Sequence, residues 1–391
     1  MCRWCLCIGM ALILPRDGWG QGIEGPTQEA SETRRDADVP LAAIFPRTQW
    51  EKIETSIGRG LEWLIREQEP NGSFPGIATG QPAITSLGVM AFLARGHIPG
   101  VGRYGANLER AIDFVLACQR EDGLLSASEP EGRHVDKAAS HGATYNHAIA
   151  GLMLCEAYGM TDSVRARRIA DGIEQALVFT RTLQTRPKAH ASDLGGWRYI
   201  RLRWSAAATD SDLSVTGWQL MFFRAAKNAK FDVPERFIDD AMGFVDRCWD
   251  PREGVFKYSL IGADNKTSRG VIGVGILCQS MAGRHATDMA QRAGDWLLGH
   301  PFRRFGEGIG GGDRFFYSAY YCSQAMAQLG GRYWQGFFPP LVAILLGAQT
   351  PSGAWPPEPR RGDAVFGNAY TTALAVLALT PAHQILPVYQ R

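Results

Sequence analysis

Six times along the 391-residue chain an aromatic or apolar anchor is followed, five positions later, by Gln or a substitute and then by a turn. The anchors are Trp63, Phe114, Phe179, Phe244, Trp296 and Ile344, at spacings of 51, 65, 65, 52 and 48 residues. That irregular period lies in the range of helical hairpin repeats, whose units cannot bury an apolar face alone and need neighbours to do so. The fullest copies are Arg59 to Phe74, Arg110 to Leu125, and Leu345 to Trp355. Each reads as a helix end: the Gln amide satisfies orphan backbone groups, Gly takes the left-handed conformation, and a ring covers the turn.

After each turn comes a second, more apolar segment, such as AITSLGVMAFLARG, LSVTGWQLMFFRAAKNA and RGVIGVGILCQSMAG. These are apolar nearly all round, which predicts burial of both faces, whereas the preceding helices carry charges on one side, as at Arg59, Glu62 and Arg66. Six such hairpins bury every inner face by closing into a ring. The expectation is an all-α fold: an α/α toroid of six helical hairpins over residues 47–391, with an inner and an outer helix ring. Chain length alone suggests two or three domains, but repeats extend one fold.

The amino terminus stands outside this pattern. Residues 1–20 hold one early Arg, an eleven-residue apolar core from Trp4 to Leu14, and Gly18-Trp19-Gly20 in the small-x-small arrangement that precedes signal cleavage. Read as an export signal, they imply a periplasmic or secreted protein; read as a frayed apolar terminus, a cytoplasmic one. Residues 21–46 are predicted to be a mobile leader, since their apolar content is low.

Charge narrows the partners. A net charge of +2 offers no cationic excess for phosphates, which argues against nucleic acid. The longest apolar stretch falls well short of the roughly twenty residues of a membrane span, leaving only peripheral membrane contact. Cys118, Cys155, Cys248, Cys278 and Cys322 lie in helical apolar patterns without C-x-x-C spacing, as core thiols do.

The pattern basic-small-x-x-aromatic-aliphatic-x-x-x-Gln-x-x-x-Gly-x-aromatic, met by Arg59 to Phe74, resembles the QW repeat of squalene-hopene cyclases, shared more loosely with protein prenyltransferase β subunits. The resemblance covers about Ile53 to Leu379 and implies a toroid whose glutamines tie outer helices together. It also implies a place for chemistry. The cyclase family starts its reaction from an Asp-x-Asp-Asp motif whose middle acid protonates a double bond or epoxide, and Asp210-Ser211-Asp212-Leu213 resembles it in part. Asp212 falls at the middle acid and Asp210 at the first, while Leu213 replaces the last carboxylate. The alternative for Asp212 is a helix N-cap, which favours the ionised form, whereas an acid catalyst needs a neutral carboxyl. The two predict opposite pKa shifts for one side chain.

His147 is expected near the start of the second inner helix, either facing the ring and supporting Asp212, as histidine partners do in the cyclase family, or satisfied in the core. His134, His141 and Asp136 invite a metal reading, but spacings of seven and six do not put ligands on one helical face. Phe316-Tyr317-Ser318 resembles the prenyltransferase stretch that carries a zinc-binding histidine, with Ser318 in its place, so protein prenylation is disfavoured and neither metal nor cofactor is expected. Trp197, Tyr199, Trp218, Phe316, Tyr317, Tyr320 and Tyr370 are candidate cavity-lining rings, suited to carbocations and apolar ligands and equally to core filling.

No Asp-Asp-x-x-Asp magnesium motif appears, and Asp239-Asp240 falls on an outer amphipathic helix. The reading is therefore a terpenoid-cyclase-like protein with a central cavity for an isoprenoid or other apolar ligand, with acid-initiated cyclisation from Asp212. The alternatives are a non-catalytic scaffold for a protein or glycan, and a polysaccharide lyase or glycosidase, which needs paired carboxylates or a basic and tyrosine set facing one groove.

Overall fold

A computed structural model describes residues 40–130, 137–200, 209–262, 267–310, 312–358 and 362–390. The predicted signal, His134 and Asp136 lie outside them. Among the described residues are twelve α-helices that alternate between two layers. The outer helices are α1 (Arg47–Arg66), α3 (Gly105–Ala117), α5 (Ser163–Gln184), α7 (Glu235–Arg247), α9 (Asp288–Gly299) and α11 (Gly331–Ala348). The inner helices are α2 (Ala83–Leu93), α4 (Lys137–Ala157), α6 (Leu213–Asn228), α8 (Arg269–Met281), α10 (Phe315–Leu329) and α12 (Gly367–Leu379).

Side-chain pattern decides the layer. Every residue of α2 is buried, and α8 is buried from Arg269 to Ser280. On α1, by contrast, Ile53, Ile57, Gly60, Leu61 and Leu64 form one buried stripe, the spacing of a helix with one wet face. The inner helices pack in the cyclic order α2, α4, α6, α8, α10, α12 and back to α2. Each later outer helix rests on the inner helix before it, and α1 rests on α12, so the first and last hairpins meet. This is an α/α toroid.

The recurring glutamines make one geometry four times. Gln68 Nε2 donates to the carbonyls of Gly72 and Asn107, both at 2.9 Å. Gln119 does so to Gly123 and Gly172, and Gln184 to Gly195 and Phe237. Gln349 reaches Gly353 at 2.9 Å and, across the closure of the ring, Ser56 at 2.8 Å. One amide thus fastens its own turn to the next outer helix. Gly353 shows why the turn needs glycine: φ is +101°, and a Cβ would lie 2.5 Å from the Arg59 carbonyl oxygen.

Trp249 and Pro301 stand in the Gln position of the fourth and fifth repeats. The fourth turn is instead a short antiparallel hairpin of β1 (Trp249–Asp250) and β2 (Val255–Phe256), with Arg292 of α9 donating to the Pro251 carbonyl at 2.7 Å. At the closure, Gln349→Ala removes both amide bonds and the one its Oε1 accepts from Ser56. A loss of about 1–3 kcal/mol is expected, read as a lowered denaturant midpoint at unchanged m-value.

Two expectations are corrected. Residues 40–46 of the predicted leader, the part of it that is described, are held in place: Leu41–Ile44 form a 3-10 turn whose Leu41 carbonyl accepts from Trp334 Nε1 at 2.9 Å, and Phe45 packs on Trp50 and Phe338. Apolar side chains at Leu41, Ile44 and Phe45 give it surface to bury. The second inner helix starts at Lys137, well before Tyr145, which changes the place of His147 in it. No described helix is long and apolar enough to cross a membrane.

Candidate functional site

The loop entering α6 is shaped by a buried carboxylate. Asp193 accepts from the Asp210 backbone N–H at 2.6 Å and from Thr209 Oγ1, and its own carbonyl accepts from Ser211 Oγ at 2.6 Å. The chain then pairs in an antiparallel bridge, Asp212 N donating to the Trp197 carbonyl at 3.0 Å. Trp197 and Arg198, adjacent in this bridged segment, meet different surroundings. Trp197 is fully buried and donates Nε1–H to the Thr180 carbonyl at 2.9 Å, while Arg198 reaches Asp212.

Asp212 uses its two oxygens differently. Oδ1 caps α6, accepting from Val215 N at 2.8 Å, and Oδ2 accepts from Arg198 Nη1 at 3.2 Å. The Tyr258 hydroxyl lies near enough to this carboxylate to favour its anion. Tyr258 is joined to Tyr199 through their hydroxyls at 2.9 Å, and the Arg198 guanidinium lies over both rings, 4.8 Å from Tyr199 and 5.6 Å from Tyr258. Ser214 is hydrogen-bonded to Tyr317 of α10, the next inner helix but one. Asp212 has no exposed surface, whereas Tyr145, Arg198, Tyr199, Tyr258 and Tyr317 are half-buried. A buried carboxyl group thus stands beneath a cluster of partly exposed tyrosines and one arginine.

Burial pushes the Asp212 pKa from 3.8 up to about 6, against Arg198, the Val215 N–H, the Tyr258 hydroxyl and the Ser214 N–H, which all favour the anion. The cap and the raised pKa, treated as opposites in the sequence, coexist because desolvation outweighs the two amides, the hydroxyl and the cation together. Burial, and then the Asp212 charge, hold Tyr258 well above the usual phenol range, so its hydroxyl stays a donor. Arg198 is raised although burial, the largest single effect, acts against it, because the Asp212 charge and Tyr258, Tyr199 and Tyr145 together prevail.

The other predicted residues divide. His147 is not a partner of Asp212. Its Nδ1 accepts from Leu125 N at 3.2 Å and its Nε2 is bonded to Thr180 Oγ1 at 2.8 Å, so both ring nitrogens are taken between the layers. The reason is phase: the earlier start of α4 puts His147 in its third turn, facing α5. Burial lowers its pKa to about 3 and keeps it neutral. His147→Ala leaves the buried Leu125 N–H unpaired and Thr180 Oγ1 with Gln219 Oε1 alone, for an expected loss of about 1–3 kcal/mol by denaturant titration with the Asp212 pKa unmoved.

Asp210 turns aside, its Oδ2 accepting from Ala189 N at 2.8 Å. Trp197 and Phe316 pack away from the tyrosine cluster, the latter against Phe305 and Phe315, and Tyr370 lies against Phe366. Trp218, Tyr317 and Tyr320 face the lumen. Trp218 stacks on Tyr320 with centroids 5.6 Å apart and meets Tyr321 edge-on at 5.2 Å. Since α6 and α10 are not neighbours in the ring, these contacts cross it. At the far end Tyr320 is hydrogen-bonded to Tyr389 of the C-terminal tail.

Arg198, Tyr145, Tyr258, Ser214 and Glu156 were not foreseen. The run Gly195-Gly196-Trp197-Arg198-Tyr199 after a repeat glutamine carries the one available signal, a turn followed by alternating side chains. Glu156 lies below the aromatic layer, its Oε1 accepting from Val388 N at 3.2 Å; burial raises its pKa to about 8. No group of three or more His, Cys, Asp or Glu side chains among the described residues is arranged to hold a metal.

No family model matches the sequence, and no curated protein matches it. Solved structures do match in fold. A variant of the type II terpene cyclase MstE from Scytonema, in complex with geranylgeranyl dihydroxybenzoate as substrate, is similar at 14% identity and a TM-score of 0.56, over 87% of this chain and all of that one. A glycosidase in complex with glucose is similar at 13% identity and a TM-score of 0.55, over 88% of this chain and all of that one. A family 76 glycoside hydrolase from a bovine Bacteroides thetaiotaomicron strain gives 10% identity and a TM-score of 0.57, over 85% of this chain and 77% of that one. All share the toroid, and at these identities the likeness is one of fold.

Proposed function

We propose that the protein is an acid-initiated isomerase of the terpenoid-cyclase type, acting on an isoprenoid that enters at the tyrosine cluster with Asp212 as proton donor. The supporting observation is the Asp212 carboxyl itself: buried, with its pKa raised to about 6, and held by Arg198 beside aromatic rings. Burial keeps the proton on at mildly acidic pH, and Arg198 with the backbone amides stabilises the carboxylate once the proton has gone to an alkene carbon. The carbocation so formed meets the faces of Tyr317, Trp218, Tyr320 and Tyr321, which favour positive charge. Loss of a proton from a neighbouring carbon to water, with Asp212 taking up a proton in turn, ends the reaction and leaves the substrate isomerised.

One of the folds compared also serves glycosidases, but that chemistry uses two carboxyl groups flanking one bond. Here Asp193 is engaged in its turn and Asp210 is bonded to Ala189, so among these acids Asp212 alone meets the tyrosine cluster. The test is incubation of the purified chain with squalene, geranylgeranyl arenes and shorter polyprenyls between pH 5 and 8, with product analysis by mass spectrometry. Wild type should yield cyclised product at a rate falling about tenfold per pH unit above the Asp212 pKa, and Asp212→Asn none. Absence of product from wild type with every substrate, or equal product from Asp212→Asn, overturns the proposal.

A further inference from the structure

The chain after the last repeat runs back across the ring. Residues 381–390 follow α12, and their last turn, Pro387–Tyr389, is fastened to the C-terminal ends of three inner helices. Val388 N donates to Glu156 Oε1 in the last turn of α4 at 3.2 Å, Asn228 Nδ2 at the end of α6 donates to the Pro387 carbonyl at 3.2 Å, and Gln328 Nε2 in the last turn of α10 donates to the Tyr389 carbonyl. These helices stand at separate places round the ring, so the tail crosses the far end of the lumen instead of lying along its wall. Val388 and Tyr389 are buried there, and the Tyr389 hydroxyl is bonded to Tyr320, the ring that stacks on Trp218. Nearer its start the tail is tied to α1 through His383 and Glu54 at 3.1 Å. Between the two ties Gln384 takes φ +48°, a left-handed conformation that is unfavourable for a residue with a Cβ.

Glu156 is the conditional member of these ties. Its Oε1 meets a single amide, and its Oε2 is buried with no hydrogen-bond partner among the described residues. The titratable groups that feel its charge are the Cys155 thiol beside it on α4, Tyr320 on α10 and Tyr389 in the tail, all held neutral by burial. Among the described residues no charged group of α2, α5 or α6, the helices packed on α4, acts on it. A carboxylate formed at this place has one amide and no cation to stabilise it, and water reaches it only when the tail lifts. We infer that residues 381–390 are a plug in the far end of the ring, kept seated while the Glu156 carboxyl is neutral and released when it ionises. Release withdraws Tyr389 from Tyr320 and opens the aromatic floor of the lumen to solvent. The inference does not depend on the isomerase reading, since Asp212 lies at the opposite end of α6 and the test reads no catalysis.

The test is amide hydrogen exchange of the full chain, followed by mass spectrometry across the neutral range of pH and corrected for intrinsic exchange rates. Protection of the amides at 386–390 should fall by about tenfold per pH unit and level off above about pH 8, because one proton leaves on opening. Glu156→Gln keeps an acceptor for Val388 N and cannot ionise, so its protection should not change with pH. If that variant does not fold, Glu156→Met should give a profile that is lower and equally flat. Tyr389→Phe should lower protection at every pH and keep the wild-type slope, as Asp212→Asn should. The amides of α8 should stay protected throughout, which separates lifting of the tail from unfolding of the ring. A flat wild-type profile, an unchanged slope in the Glu156 variants, or exchange of α8 in step with the tail each overturns the inference.

Discussion

Asp212→Asn and Glu156→Gln should each gain stability toward denaturant relative to wild type as pH rises from about 4 to about 8. Carboxylates that are paired and hold depressed pKa values behave in the opposite way. Here two buried carboxyl groups are raised. Asp212 moves from 3.8 to about 6, and Glu156 from 4.5 to about 8, burial being the main cause in both. Between its unfolded and folded values each of these two groups binds more proton in the native chain than in the unfolded one, so its contribution to stability is lost as pH rises.

At about 1.4 kcal/mol for each tenfold change in proton affinity, Asp212 accounts for about 3 kcal/mol, lost between pH 3.8 and about 6. Glu156 accounts for up to about 5 kcal/mol, lost between 4.5 and about 8. His147, lowered by burial to about 3, and Glu54, whose bond to His383 lowers its pKa, work the other way, their contributions being lost as pH drops toward their folded values. The pH profile of each variant should therefore differ from that of wild type only within the window of the group removed. Urea titrations at half-unit pH intervals provide the check. Variants whose profiles run parallel to wild type from about pH 4 to about 8 contradict the account.

The second large effect lies at Arg269, which opens α8 with no exposed surface. Its Nε donates to Asp313 Oδ2 at 2.8 Å, Nη1 to the Pro301 carbonyl at 3.3 Å and Nη2 to the Glu307 carbonyl at 2.6 Å, and the guanidinium lies 3.8 Å from the Phe302 centroid. Asp313 is equally buried, and its other oxygen accepts from Ser318 Oγ at 2.6 Å. Arg269→Met keeps the stem but leaves a buried carboxylate without its cation, which should cost about 3–5 kcal/mol. Adding Asp313→Leu should recover part of that cost, because the stranded charge is then gone. A single variant within about 1 kcal/mol of wild type, or a double variant worse than the sum of the two singles, would sink this account of the pair.

The toroid was legible because its determinants are local and repeated: a stripe of apolar residues on each outer helix, an apolar inner helix, and a Gln and Gly at fixed offsets. The polar chemistry was legible only in part. Asp212 could be found because it sits where the chain enters a helix, but the raised pKa comes from the packing around it. Tyr258 arrives from the turn of the next hairpin, and no spacing within one repeat announces it. His147 was misplaced because Ala138-Ala139-Ser140-His141-Gly142 reads as a loop, whereas the chain is already helical there and the added turns rotate His147 toward Thr180. Glu156 looks like an ordinary solvated residue near a helix end. It is buried because the tail from Pro381 to Gln390, which belongs to no repeat, folds back beneath the ring.

The meeting of α1 with α12 and the Gln349–Ser56 bond have a consequence for how such a chain can evolve. In an open solenoid a terminal unit has one neighbour, so units can be gained or lost at the ends by duplication or deletion at modest cost. A closed circle offers no such end. Deleting one hairpin severs two contacts at once and leaves a gap that the remaining five must bend to span, and inserting a seventh forces every crossing to open. The copy number is therefore fixed by circumference, and variation is confined to the turns and their side chains.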